Sequence, residues 1–390
     1  MKKLFFSLIT IYLVIIFCSQ NLYAIPSFAR KYNMSCQTCH SPFPKLKDYG
    51  DEFAGNGFVL GDKDAPRYFI DTGDDQLSLL REIPLAIRLE GYVTYNNQES
   101  ERFDFSAPYL IKLLSGGALT NNISYYFYFF LSERGDVAGL EDAFIMFNNL
   151  FGQDLDLYVG QFQISDPLFK RELRLTFEDY HIYRVKPGLS NANLTYDRGL
   201  MLTYGLPTKT DIIFEVLNGT GIGAANSFKI FDNDKYKNFF GRISQDIIEG
   251  IRIGSFGYYG KENLVDDKSR KFTNTFNMWG IDATLKLKDI LELNYQYAER
   301  KDDSAEFFMK NFKTKGVICE LIYTPKGDES KWYGVLLYNW VDSDFNELDY
   351  NSTTISLGYL LRRNIRLVGE YTYSIEKKYN QFSIGIVSAF

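Results

Sequence analysis

The chain has 390 residues, a net charge of −6 at pH 7, and 17% aromatic residues, dominated by 33 Phe and 29 Tyr. So mild an acidity leaves no nucleic-acid footprint, and the cysteines are too few and too unevenly spaced for a disulfide framework. The length permits two domains, and the aromatic excess fits the girdles of a membrane barrel.

The first stretch, "MKKLFFSLITIYLVIIFCSQNLYA", has two lysines, an apolar run from Leu4 to Phe17 and a polar end at Ala24. That is the layout of a secretory signal, so residues 1–24 are expected to be removed by cleavage after Ala24. Cys18 follows the bulky Phe17, which does not suit lipid-modifying cleavage, so it leaves with the signal. No later stretch approaches the ~20 apolar residues of a membrane helix. An exported chain of this kind is released or crosses the outer membrane as strands.

Ten residues into the expected mature chain comes "MSCQTCHSPFPKL", with Cys36, Cys39 and His40 in the spacing Cys-x-x-Cys-His. Two thiols and an adjacent histidine form the pattern of covalent haem attachment, the thiols as thioethers and His40 as the proximal iron ligand. Zinc would want a second ligand pair, and only Cys319 and His181 remain in the mature chain. A redox dithiol would want a βαβ setting, which is absent. One haem c is therefore the expected cofactor.

Around the motif, Ser27 is placed to cap a helix running through "FARKYNMSCQTCH". Pro44 is placed to open a second helix with Phe43, Leu46 and Phe53 as its apolar face, stopped at Gly55-Asn56-Gly57. Two such helices give roughly 35 residues, below the ~40 at which chains seldom fold without metals or partners. The segment 25–82 must therefore borrow walls, and the lumen of a following barrel is the expected source.

From about Pro84 to the end the dominant signal is alternation with period two. In "ILELNYQY", Leu291, Leu293, Tyr295 and Tyr297 oppose Glu292, Asn294 and Gln296. "TTISLGYLL" sets Ile355, Leu357, Tyr359 and Leu361 against Ser356 and Gly358, and "NIRLVGEYTY" sets Ile365, Leu367, Tyr371 and Tyr373 against Arg366, Glu370 and Thr372. Short links ("LRRN", "TPKGDES", "LKD") alternate with long ones ("VDSDFNELDYN", "ERKDDSAEFFMKNFK", "GKENLVDDKSRKFTN", "NNQESERFD"). A soluble sandwich has no reason to keep that rhythm, whereas an outer-membrane barrel has short periplasmic turns and long outer loops. Counting strands predicts an all-β, antiparallel barrel of about 16 strands over residues 83–390, with the small α-helical monohaem segment before it.

The link from Ser165 to Tyr196 is far longer than the rest, and structureless loops of that length are uncommon unless functional. The stretch "VGQFQI…RGLMLTYG…VLNGTGIGAANSFKIFDNDKYKNFFGRI" resembles phosphate-selective-type porins, which implies that this loop folds into the lumen. "GTGIG" at Gly219–Gly223 follows a strand without a βαβ context and is no nucleotide loop. The last strand, "QFSIGIVSAF", ends in Phe390 on the face of Phe382, Ile384 and Ile386. A terminal aromatic there resembles the signal read by the barrel-assembly machinery.

"IPSFARKYNMSCQTCHSPFPKLKDYGDEFAGNGF" closely resembles the N-terminal signature of fused outer-membrane monohaem cytochrome c–porins, best known as iron oxidases of iron-oxidising bacteria. The shared positions are Pro26, Phe28-Ala29-Arg30, the haem motif, Pro44, Leu46, Gly50, Phe53 and Asn56-Gly57. The resemblance implies an outer-membrane electron conduit, an Fe(II)-oxidising oxidoreductase in some members. It also implies outer-membrane lipid around the barrel, an extracellular donor such as Fe(II), and periplasmic electron-carrier cytochromes as acceptors. Acidic stretches such as "DSDFNELD" and "NLVDD" could attract a cation, although charged outer loops are usually only solvated. The rival reading is a solute porin whose haem segment is sensory or structural. "SPFPKL" after the motif holds no histidine, so a sixth ligand would come from elsewhere. His181, in the lumen loop, is the first candidate and Met201 the fallback. Met34, two residues before Cys36, would tend to stay on the proximal side of the ring.

Overall fold

The structure is a computed structural model describing residues 27–60, 69–98, 102–137, 139–232, 234–307 and 311–390; the expected signal at 1–24 lies outside them. The barrel strands are β3 (Leu85–Asn96), β4 (Arg102–Ala118), β5 (Ile123–Glu133), β6 (Gly139–Phe147), β7 (Leu155–Gln163), β8 (Tyr196–Leu206), β9 (Thr210–Leu217) and β10 (Asn238–Ile248). They continue as β11 (Ile251–Val265), β12 (Lys271–Leu287), β13 (Leu291–Asp302), β14 (Phe312–Tyr323), β15 (Trp332–Ser343), β16 (Tyr350–Arg362), β17 (Ile365–Ser374) and β18 (Tyr379–Ala389). Each pairs antiparallel with its sequence neighbours, and β18 closes on β3 to complete sixteen strands. Closure leaves no open edge, which is what a sheet needs in lipid.

The alternation read from the sequence appears as an outward apolar face and an inward polar one. Ile355 and Leu357 are exposed on the outside of β16 while Ser352, Thr354 and Ser356 are fully buried inside. Leu367 and Tyr373 are likewise exposed on β17, whereas Arg366, Glu370 and Thr372 are buried. Phe382, Ile384, Ile386 and Phe390 all lie exposed on the outer face of the closing seam. This polarity is inverted relative to a soluble protein, and lipid is the solvent that rewards it. The architecture is that of an outer-membrane barrel.

The links alternate in length, less steeply than the sequence implied. Turns at 207–209, 249–250, 288–290 and 363–364 gather at one end, with both chain ends of the barrel; that is the periplasmic end. At the other end, strands run further than expected, so only 97–101 and 266–270 separate β3 from β4 and β11 from β12. Polar side chains tolerate the rim of a barrel wall, so the strands extend through segments that read as loop.

Residues 164–195 pass through the lumen between β7 and β8, as the resemblance implied. The loop is held by inward-facing groups of distant strands. Arg88 Nη1 of β3 donates to the Glu172 carbonyl at 3.0 Å, and Arg366 Nη1 of β17 donates to the Leu175 carbonyl at 3.0 Å. The Glu370 carboxylate accepts the backbone N–H groups of Phe177 at 2.7 Å and Glu178 at 2.8 Å. Tyr180 donates its hydroxyl to Glu320 Oε1 at 3.0 Å. Within the loop, Arg171 makes a bidentate pair with Asp179, with Nε 2.9 and 2.8 Å from the two carboxylate oxygens. Burial raises the Asp179 carboxyl, but Arg174 and Arg171 beside it hold it well below the usual carboxylate range.

Beneath the loop lies an apolar cluster that the alternation does not foretell. Phe240, Phe256, Tyr258, Phe276, Ile318 and Leu337 point inward, and Tyr183 and Leu194 of the loop pack with them. This side of the lumen is a packed core.

The N-terminal segment is built differently from its sequence reading. Helix α1 covers only Ser27–Tyr32, because Asn33 turns left-handed at φ 53°. Ser35 then caps a separate 3-10 turn, Cys36–Thr38, by accepting the Gln37 N–H. Pro44 opens no helix. Residues 43–47 return beside the motif as extended chain, with Ser41 N–H donating to Lys45 O at 3.1 Å and Lys47 N–H to Cys39 O at 2.8 Å. Helix α2, Asp48–Gly55, starts after that hairpin-like return, and acidic Asp48 and Asp51 in its first turn favour the dipole. A small hairpin, β1 (Phe69–Ile70) with β2 (Leu79–Leu80), follows before the barrel.

Candidate functional site at the periplasmic mouth

The N-terminal segment spans the periplasmic mouth. On one side the Asn148 amide, in the β6–β7 link, donates to the Gly55 carbonyl at 3.0 Å. On the other, Asp328 in the β14–β15 link pairs with Lys47 and accepts the Gln37 amide at its carbonyl. These two links are opposite in the strand order. Lys45 to Glu292 at 2.8 Å and Lys286 to Asp48 at 2.6 Å add further ties. Exposed ion pairs contribute little individually, so apolar contact must supply most of the docking.

Phe58 supplies that contact. Gly57 adopts φ 69°, a conformation that favours glycine, and it swings Phe58 against both bodies. Phe58 stacks on Phe28 of α1 at 4.8 Å and on Tyr126 of the barrel wall at 5.4 Å. Phe53 meets the same Phe58 ring edge-on at 5.8 Å.

Between plug and lumen loop is a cavity of about 950 Å³, at the upper end of the range for small-molecule and cofactor sites. Cys36, Cys39 and His40 all line it, and aromatic rings from both bodies, including Phe43, Tyr126, Tyr128, Phe144 and Phe169, face the same space. The His40 ring nitrogen Nδ1 lies 2.8 Å from the Pro44 carbonyl oxygen. With Nδ1 so held as the N–H donor, Nε2 is the nitrogen free for a metal, and metal-binding histidines are typically oriented by such a second partner. Burial pulls the His40 imidazole down to about 4, so it is neutral, as a ligand must be. Burial also raises both thiols. Gly50 packs so close to the turn that an added Cβ would sit 2.3 Å from the Cys39 carbonyl oxygen. Charged groups line the cavity as well, among them Arg88, Asp142, Lys170, Glu172, Arg242 and Asp282, so its walls are mixed. The donor set, the neighbouring rings and the room available fit a haem c attached to Cys36 and Cys39.

The two candidates for a sixth ligand fall in different places. His181 lies in a short 3-10 turn of the lumen loop, stacked on Tyr350, the first residue of β16 at the long-link end. It is not among the residues lining the cavity, whereas Met201 is. Met34 and Met146 line it too. Met146 escaped the sequence reading because a methionine alternating inward on a strand carries no local signal. Among the described residues, no group of three or more His, Cys, Asp or Glu side chains forms a metal cage.

No family model matches the sequence, and no curated protein matches it. Solved structures do. OmpT of Vibrio cholerae in its trimer form matches with a TM-score of 0.56 and 12% identity, over 79% of this chain and 99% of that one. An anion-selective porin from Comamonas acidovorans matches at 0.55 and 12% over the same shares. The outer-membrane channel DcaP of Acinetobacter baumannii matches at 0.55 and 13%, over 79% and 97%. At such identities the likeness is one of fold: this chain is built as a porin-like outer-membrane β-barrel.

Proposed function

We propose that the protein is an outer-membrane electron conduit in which a single haem c, attached through Cys36 and Cys39 and ligated by His40, sits at the periplasmic mouth of the barrel. The observation that carries this reading is the geometry of the motif: both thiols and an imidazole oriented by the Pro44 carbonyl line one cavity of about 950 Å³, with aromatic and charged side chains around it. Haem would supply a one-electron site there. The chain's own residues hold the imidazole neutral, surround the cavity with rings and tie the plug to both sides of the barrel. By the resemblance of its N-terminal signature, ferrous iron is the proposed extracellular donor and a periplasmic cytochrome the acceptor.

A second reading, a solute porin whose N-terminal segment is sensory or structural, is favoured by the likeness to porins. The first test is attachment. Full-length protein produced with cytochrome maturation machinery should keep haem-dependent peroxidase staining after denaturation, at its full mass, and lose it when Cys36 and Cys39 are replaced by alanine. No stain in the unaltered protein would leave the porin reading.

A further inference from the structure

Resting on the haem reading above, we propose that Met201 of the barrel wall is the second axial ligand of the haem iron, so that the cofactor itself joins the plug to the barrel. A six-coordinate electron-transfer haem takes histidine or methionine opposite its proximal histidine. His40 is already placed, and the other described histidine, His181, rests on Tyr350 outside the cavity. The thioethers facing the cavity are Met34, Met146 and Met201.

They are not equivalent. Met34 belongs to the loop entering the motif, where its backbone N–H donates to Ala29 O at 3.2 Å. Such a short tether to Cys36 keeps it with the proximal face. Met146 is spoken for, because its Sδ accepts the Asn148 amide at 2.7 Å, and that same amide holds Gly55 of the plug. Met201 is 7% exposed and inward-facing, packed at the edge of the apolar cluster with Phe162 and Tyr180, and among the described residues its Sδ accepts no hydrogen bond. Met201 lies midway along β8, Tyr196–Leu206, directly opposite Tyr158 of β7. Five residues of strand above the 207–209 turn correspond to about 17 Å. With the strand tilt of such barrels, that is about 13 Å of height above the periplasmic rim. His40 of the plug and Met201 of the wall both line this cavity, one donor from each body.

The consequence is a potential raised relative to bis-histidine ligation, and a plug whose seating is coupled to iron coordination. The test uses full-length haem-loaded protein. The unaltered protein should be low-spin and show the thioether-to-iron charge-transfer band when oxidised. When reduced, it should show a strongly upfield-shifted methionine methyl resonance. Met201→Leu conserves volume, and it should erase both signatures and give a high-spin spectrum while the covalent stain persists. Met201→His should restore a low-spin spectrum at lower potential. His181→Phe should leave the signatures intact. Stained protein that lacks them, or a Met201→Leu variant that keeps them, overturns methionine ligation by this residue and leaves the haem reading standing. Absence of stain overturns the haem reading, and this one with it.

Discussion

The imidazole of His181 lies face to face on the ring of Tyr350, with centroids 3.8 Å apart and planes 15° apart. The stack fastens the lumen loop to the wall near the long-link end of the barrel, and burial pulls His181 from 6.5 to about 4. In an opened loop the imidazole takes up its proton near 6.5; in the closed loop it does so only near 4. The stack's contribution is therefore complete above pH 6.5 and is lost as pH falls toward 4. Hydrogen exchange of loop amides between 164 and 195, corrected for intrinsic rates, should accelerate across that window. His181→Phe keeps the stack without a titrating group and should flatten the slope. Equal slopes in the two proteins would show that another group sets it.

The loop's second fastening is Glu370, whose carboxylate takes two adjacent backbone N–H groups. Glu370→Ala orphans both, at about 1–3 kcal/mol for each buried donor left unpaired. The loop should loosen locally, and single-channel conductance in planar bilayers should rise above that of the unaltered protein. Unchanged conductance would mean the loop is not what restricts the lumen.

At the turn that carries Cys36, Cys39 and His40, steric room is the controlling quantity. A Cβ on Gly50 would lie 2.3 Å from Cys39 O and 2.9 Å from Leu46 Cδ2. Backbone cannot yield as a flexible side-chain tip can, so Gly50→Val should displace the return strand that brings Pro44 to His40. Haem staining per unit of protein should drop several-fold, while the heat-dependent gel shift of the barrel stays as it was. Full staining would show that the turn tolerates a shift of its backbone.

Closure of the barrel ends at Phe390, which exchanges two backbone hydrogen bonds with Ile87, at 2.7 and 2.8 Å. Its ring lies on the lipid side, 39% exposed. Deleting Phe390 removes both the seam bonds and the terminal aromatic, so folded, heat-modifiable protein in the outer membrane should fall. Normal levels would assign assembly signalling to other residues of β18.

The barrel was legible because strand alternation is local: Leu367, Arg366 and Glu370 declare their faces within five residues. The lumen loop declared itself by length. The apolar lumen wall did not, because Phe240, Phe256 and Phe276 gain their partners from a loop remote in sequence. Double-sided runs such as Phe239-Phe240 and Met278-Trp279, apolar on both faces, were the available hint. The plug's helices were misplaced because the hydrogen bonds around Cys39 outweigh the helix-opening tendency of Pro44. Met146 and Tyr126 join the cavity from strands about a hundred residues from the motif, a juxtaposition that only closure of the barrel creates.

The proposed conduit passes electrons across this barrel while excluding solutes. A hydrocarbon core of about 30 Å offers an electron no intermediate site, and the N-terminal segment is held across the mouth between Asn148 and Asp328. The most direct measurement uses vesicles bearing the purified, haem-loaded protein and enclosing a soluble cytochrome, with ferrous iron outside. The account predicts reduction of the enclosed cytochrome with sugar permeability close to that of protein-free vesicles. Rapid sugar flux with no reduction of the enclosed cytochrome would contradict it.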